Sequence, residues 1–163
     1  MRLFSPDFRD GGELPANTTC EGPDFSPALQ WSDAPPATMS LALVVDDPDA
    51  PDPAAPKRTW VHFVAYNLPA STRGLPPGVR PETLPKGAVP GVNDWGRTGW
   101  GGPCPPIGTH RYFFKLYALD AVLPVRRGVD KAALERLMDG HVLAQATLIG
   151  TYRLHRDEAG APA

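Results

Sequence analysis

Proline occupies 21 of the 163 positions and glycine another 16. Proline alone stands at more than twice its usual share of ~5%. Each proline removes a backbone donor and fixes φ, which breaks helix interiors and central strands. A chain punctuated this densely cannot build long helices, so its regular structure must lie in the intervals between breaks. Those intervals are apolar: hydrophobic residues make up 42% of the chain and charged residues 21%. The combination reads as a folded, turn-rich β protein. A chain of this length closes around a single core, so residues 1–163 are taken as one domain.

The intervals carry strand patterns. Residues 40–45 are apolar almost throughout, as in a strand covered on both faces. A strand is expected over 41–45, ending in the acidic turn Asp46-Asp47-Pro48-Asp49-Ala50-Pro51. Residues 60–66 form the next, rich in aromatic and β-branched types, with His62 on the face of Trp60, Val64 and Tyr66. A third covers 112–118 and reaches back to His110. Alternation puts His110, Tyr112, Phe114, Leu116 and Ala118 on one face and Arg111, Phe113, Lys115 and Tyr117 on the other. The last alternates over 143–152. A short strand carries Leu29 and Trp31 on one face. Asp130 caps a helix over Lys131–Met138, whose Ala133, Leu134, Leu137 and Met138 make one apolar stripe. Residues 68–108 hold proline and glycine with no sustained period and are expected to be mostly loop. A connection that long is more often functional than idle. The fold class is therefore mostly β: a sandwich of antiparallel sheets with a short peripheral helix near the C-terminus.

Composition excludes several functions. A net charge of −2 and a pI near 6.0 lack the electrostatic footprint of a nucleic-acid binder. No apolar run reaches the ~18–20 residues of a membrane span. The opening Met1-Arg2-Leu3-Phe4-Ser5-Pro6 has no apolar signal core, which points to the cytoplasm. Cys20 and Cys104 are too few for a disulfide framework and lack CxxC spacing. Reduced thiols are expected, with a disulfide between them the minor alternative. Cys104, set between two prolines, reads as a packed thiol rather than a nucleophile.

Reactive residue types concentrate in three places. The acidic turn lacks the glycine and distal glutamate of a calcium loop, and reads as a strand-ending turn with one carboxylate aimed inward. His62, His110 and Tyr112 stand at strand ends beside it, a plausible convergent site. The loop over 99–108 contributes glycines that let a backbone approach a ligand and present N–H groups to an anion. Neither a P-loop nor a dinucleotide fingerprint occurs.

Asp47-Pro48-Asp49-Ala50-Pro51, followed by Trp60-Val61-His62 and Asn67-Leu68-Pro69, resembles the first signature block of the phosphatidylethanolamine-binding protein family. Gly102-Pro103-Cys104-Pro105-Pro106-Ile107-Gly108-Thr109-His110-Arg111-Tyr112 resembles the second. The Gly-Pro-Cys-Pro-Pro form and the ending from Gly140-His141 to Gly150-Thr151-Tyr152 are similar to its bacterial, Raf-kinase-inhibitor-like branch. The resemblance implies a two-sheet sandwich with a small anion pocket made by Asp47, His62, His110 and Tyr112 and rimmed by Gly102 and Pro103. It implies a binding protein for a phosphate or anionic head group that modulates a kinase or protease partner, with no cofactor and no catalytic residue. It further implies a homodimer and a cis X–Pro bond, Ala50–Pro51 being the first candidate; apolar and aromatic residues of the 68–108 loop, read as exposed, such as Leu75, Val89 and Trp95, are the expected dimer contacts. Imidazole N–H, phenol O–H and loop amides are suited to phosphate oxygens. Asp47 would either hold a histidine in its donating form or meet the ammonium of a zwitterion. Two further readings use the same residues: a hydrolase with His62 or His110 as base and Asp47 as its orienter, and a two-histidine, one-carboxylate metal site.

Overall fold

A computed structural model of the chain describes residues 1–156. In chain order its elements are β1 (Arg2–Phe4), β2 (Leu29–Ser32), β3 (Ser40–Ala50), β4 (Arg58–Pro69), β5 (Gly74–Leu75), β6 (Val89–Pro90), β7 (His110–Leu119), α1 (Lys131–Met138) and β8 (Val142–Tyr152). The strands form two antiparallel sheets, a small one ordered β1-β2-β5 and a large one ordered β6-β4-β3-β7-β8.

β3 sits at the centre of the large sheet, and that explains its apolar sequence. Leu41, Leu43 and Val45 meet Phe63, Phe114 and Leu116, and with Leu3, Trp31 and Leu75 of the small sheet they fill the space between the layers. Ala42 and Val44 point the other way, to a second core with Val64, Tyr66, Leu123 and Val129 that α1 covers through Leu134 and Met138. Asp130 caps α1 as expected, its carboxylate accepting from the Ala133 N–H at 2.8 Å. Residues 68–108 are mostly irregular, and Ala50–Pro51 is cis. No helix among the described residues is long and apolar enough to cross a membrane.

Four expectations are corrected. β3 does not end at residue 45 but runs through the acidic cluster to Ala50, and Asp46, Asp47 and Asp49 are all buried rather than one of them. Strands β1, β5 and β6 are too short, at three, two and two residues, to show a period. The cysteines are not reduced thiols: Cys20 and Cys104 are joined in a disulfide across 84 positions. The inference of a reducing compartment from their thiols therefore lapses. Leu75, named for a subunit contact, is buried against the core, and Val89 is half-buried beside Tyr66; only Trp95 of the three is exposed.

An eight-residue helix is marginal alone, so α1 depends on Leu134, which is fully buried. Leu134→Ala should cost about 2–5 kcal/mol in urea unfolding, the usual range for emptying a buried leucine site. The half-buried neighbour Leu137→Ala should cost clearly less in the same measurement.

Candidate ligand-binding site

The order β4-β3-β7 brings three strands side by side, and their ends enclose a cavity of about 400 Å³. Asp47 from β3, His62 from β4, and His110 and Tyr112 from β7 all line it. Trp60 and Trp95 form one wall, Pro51, Cys104, Pro105 and Pro106 another, and Lys57 and Arg58 also contribute to the lining.

His62 reaches this cavity through an irregularity in pairing. Val45 pairs with Phe63, but its neighbour Asp46 pairs with Val61, so His62 is an extra residue bulged out of the ladder. A bulge breaks the period of two and re-aims side chains. His62 and Phe63 consequently face the same layer, while Val61, Val64 and Tyr66 belong to the core on the other side. Simple alternation had grouped His62 with Val64 and Tyr66; the bulge overrules it. Asn67, at φ 55°, stands at a second irregularity and bonds both ways to the Leu123 backbone.

Each carboxylate of the acidic strand end has its own cation. Asp46, on the α1 side, accepts from Lys115 Nζ at 2.9 Å and Lys131 Nζ at 2.7 Å. Asp49 takes a two-pronged bond from the Arg111 guanidinium, which holds its carboxyl below the usual range. Asp47 accepts from the Asp49 N–H through Oδ1 and from His110 Nδ1 at 2.6 Å through Oδ2. The other nitrogen of His110, Nε2, donates to the carbonyls of Ile107 at 2.9 Å and Pro51 at 3.0 Å. With acceptors on both sides, the ring is an imidazolium. Burial alone would lower its pKa, but the bond and charge of Asp47 and the two carbonyls outweigh burial and raise it. Asp47 thus holds a histidine, as one of its two expected roles had it, and that histidine has no nitrogen to spare.

His62 is the opposite case. Its Nδ1 donates to the Gly101 carbonyl at 2.6 Å. Its ring is packed edge-on against Trp95 and Tyr112. Burial is the main influence and pushes its pKa below 6.5, so the ring is neutral and Nε2 carries a lone pair. Neither Nε2 nor the Tyr112 hydroxyl has a partner among the described residues. Burial keeps the Tyr112 phenol protonated, its pKa well above the ordinary 10. The cavity therefore offers an acceptor at His62, a phenolic O–H at Tyr112 and two cations.

Two predicted residues lie elsewhere. Gly102 and Pro103 are buried behind the wall rather than lining it. A Cβ on Gly102 would stand 2.1 Å from Thr18 O and Asp24 Oδ1, so this glycine serves close packing. The Pro103 carbonyl accepts from the Cys20 N–H at 3.1 Å. Lys57, Arg58 and the role of Trp95 escaped sequence reasoning. Arg58 had a signal, since Arg58, Trp60 and His62 follow at a spacing of two. Trp95 had none, because Asn93 places it, accepting through Oδ1 from the Trp95 N–H and donating to the Gly99 carbonyl.

The chemistry narrows the alternatives. The Asp47–His110 pair resembles a base and its orienter, but carbonyls occupy the nitrogen that would act as base. Of the two histidines that line the cavity, the same occupation leaves only His62 with a free nitrogen, so the two-histidine, one-carboxylate ligand set is not assembled.

The profile of the phosphatidylethanolamine-binding protein family matches residues 4–153. The chain belongs to that family. A UPF0098 protein of Methanothermobacter thermautotrophicus is 47% identical, over 94% of this chain and 99% of its own length. One from Aquifex aeolicus is 44% identical, over 94% and 88%. The crystal structure of a phosphatidylethanolamine-binding protein homolog, CT736 of Chlamydia trachomatis, superposes with a TM-score of 0.86 at 40% identity, covering 94% of this chain and 97% of that one. YbcL of E. coli, described as a new member of the mammalian family, gives 0.84 at 35%, covering 94% and 98%. The two-sheet sandwich of this family member is thus the expected fold.

The two histidines bend stability with pH in opposite directions. Between 6.5 and the raised pKa of His110, the native state holds a proton that the unfolded chain has lost, so stability falls as pH rises. Below 6.5 the unfolded chain protonates His62 while the native state resists, so stability falls as pH falls. In an NMR titration His110 should titrate above 6.5 and His62 below it. Asp47→Asn should cost about 3–5 kcal/mol in urea at pH 6, as for a buried pair that loses one partner.

Proposed function

We propose that the cavity binds a small anionic ligand, best matched by a phosphomonoester or phosphorylated head group. The observation that carries the reading is which polar groups remain once internal pairs are counted. Asp47 and His110 satisfy each other, while among the described residues His62 Nε2 and the Tyr112 hydroxyl have no hydrogen-bond partner, and the lining cations Lys57 and Arg58, the latter over the Trp60 ring, have no carboxylate partner. A phosphomonoester has its second pKa near ~6, so its monoanion carries one O–H beside several acceptor oxygens. That O–H can donate to His62 Nε2, while the other oxygens accept from Tyr112 and the cations. The tryptophan and proline walls suit a ligand with an apolar or planar remainder. Control of a kinase or protease partner, and a homodimer, are carried by the family likeness; no residue of this chain is assigned to them.

The reading requires one proton between ligand and His62. Above pH 7 the dianion lacks it, so binding must take a proton from solvent and affinity must fall as pH rises. Titration calorimetry with phenyl phosphate at pH 6 and pH 8, in buffers of different ionisation enthalpy, should show weaker binding and proton uptake at pH 8. His62→Ala should weaken binding roughly ten- to a hundredfold at pH 6, the loss of one charged hydrogen bond. Affinity equal at both pH values, or equal in the variant, overturns the reading.

A further inference from the structure

The disulfide stands where it can act on the cavity. Cys104, Pro105 and Pro106 are lining residues, and both cysteines are exposed. Apart from the packing of Pro105, which is buried, this stretch of wall has little else to hold it. Two of the three residues lack an N–H, and no backbone-to-backbone hydrogen bond joins any of the three to the rest of the described residues. Its ends are tied by the Pro103 carbonyl to the Cys20 N–H, and by the Ile107 carbonyl to His110.

The other end of the bridge is anchored. Thr18 and Thr19 are buried, with hydroxyls bonded to the carbonyls of Pro15 and Ala16. Glu21, next to Cys20, accepts from the Tyr152 hydroxyl at 2.6 Å and from the backbone N–H of His155 at 2.8 Å. A weakly bonded wall is thus fastened covalently to a well-bonded segment. Three residues before Cys104, Gly101 exchanges both backbone bonds with His62: its N–H donates to the His62 carbonyl at 3.1 Å, and its carbonyl accepts from Nδ1. Displacement of the wall therefore has a short route to the residue that faces the ligand.

We propose that the Cys20–Cys104 disulfide is a reducible latch that holds the cavity wall in its binding position and is released by dithiols. In the exchange a thiolate of the dithiol attacks one sulfur of the bridge, forming a mixed disulfide and freeing the other cysteine as a thiol. The second thiol of the reagent then displaces the first cysteine. The dithiol leaves as a cyclic disulfide, oxidised by two electrons, and the protein gains two thiols with the two protons. The exposed bridge is reachable for that attack, and the loosened partner is the wall, since the anchor keeps its own bonds.

The effect on affinity rests on the ligand reading above, so the experiment reads the latch in two ways. Amide exchange of the full chain should be compared with and without dithiothreitol, together with phenyl phosphate titrations of the same samples. Reduction should speed exchange at the amides of Cys20 and Gly101, which donate to the Pro103 and His62 carbonyls at either side of the wall, while leaving β3 and β7 unchanged. It should also weaken phenyl phosphate at least tenfold, and reoxidation should restore both. Cys20→Ser with Cys104→Ser, shown folded by its circular dichroism, should match the reduced protein and ignore dithiothreitol. If the oxidised protein binds no phenyl phosphate, the ligand reading fails and exchange alone decides: faster exchange at the Cys20 and Gly101 amides upholds the latch. Unchanged exchange on confirmed reduction overturns the latch whatever the titrations show.

Discussion

Three carboxylates are buried at one end of the central strand, and the layout of the molecule follows from the need to match them. An isolated ion moved out of water costs several kcal/mol even after relaxation, so each buried charge needs a partner with good geometry. β3 supplies Asp46, Asp47 and Asp49, and β7 alone supplies a cation to each: Lys115, His110 and Arg111. The pairing helps fix the register of these neighbouring strands at the end where β3 turns acidic. Asp46 additionally takes Lys131 at the start of α1, which ties the helix to the same charge. The set supplies specificity more surely than stability, because matched apolar residues often serve stability as well.

Much of this was legible. The period of two on β7 gave the correct inward face, and the doubly apolar run of β3 gave a strand covered on both sides. Asp130 gave the helix start. The site was legible as a set of residue types, because His62, His110 and Tyr112 stood at strand ends beside an acidic cluster. Their roles were not. Which histidine carries the charge depends on what lies within 3 Å of each nitrogen, and Ile107, Pro51 and Gly101 contribute backbone carbonyls that carry no side-chain signature. The bulge at His62 is equally silent, since an extra residue in a ladder is defined by its partner strand. The reading of Asp46 to Pro51 as a turn failed for a related reason. Proline and aspartate end strands in isolation, but here the cations that β7 offers to the buried carboxylates override that preference.

Cys20 and Cys104 show the limit in another form. Their spacing of 84 says nothing about distance, and the segment that brings them together has little regular structure. Residues 11–14 lie along the far end of β8, with the Leu14 N–H donating to Thr151 and the Thr151 N–H to Gly12. That edge pairing turns the following residues back past the cavity wall. Backbone groups carry it, and a sequence offers no sign of them.

The site thus divides into two parts with different physical origins. Its floor, Asp47, His62, His110 and Tyr112, stands on three hydrogen-bonded strands and is fixed by charge matching and packing. Apart from Trp60 of β4, its walls, Pro51, Trp95 and residues 104–106, come from irregular segments held by local devices. Asn93 folds the loop under Trp95, Pro51 gives its carbonyl to His110, and the disulfide fastens the proline stretch. Sheet positions resist change because a shift of one residue reverses every side chain along the strand. Walls that rest on local ties outside the ladder can be replaced without shifting the register of the sheet. On the proposed ligand reading, the sheet supplies fixed polar groups while the walls decide which ligand remainder is admitted.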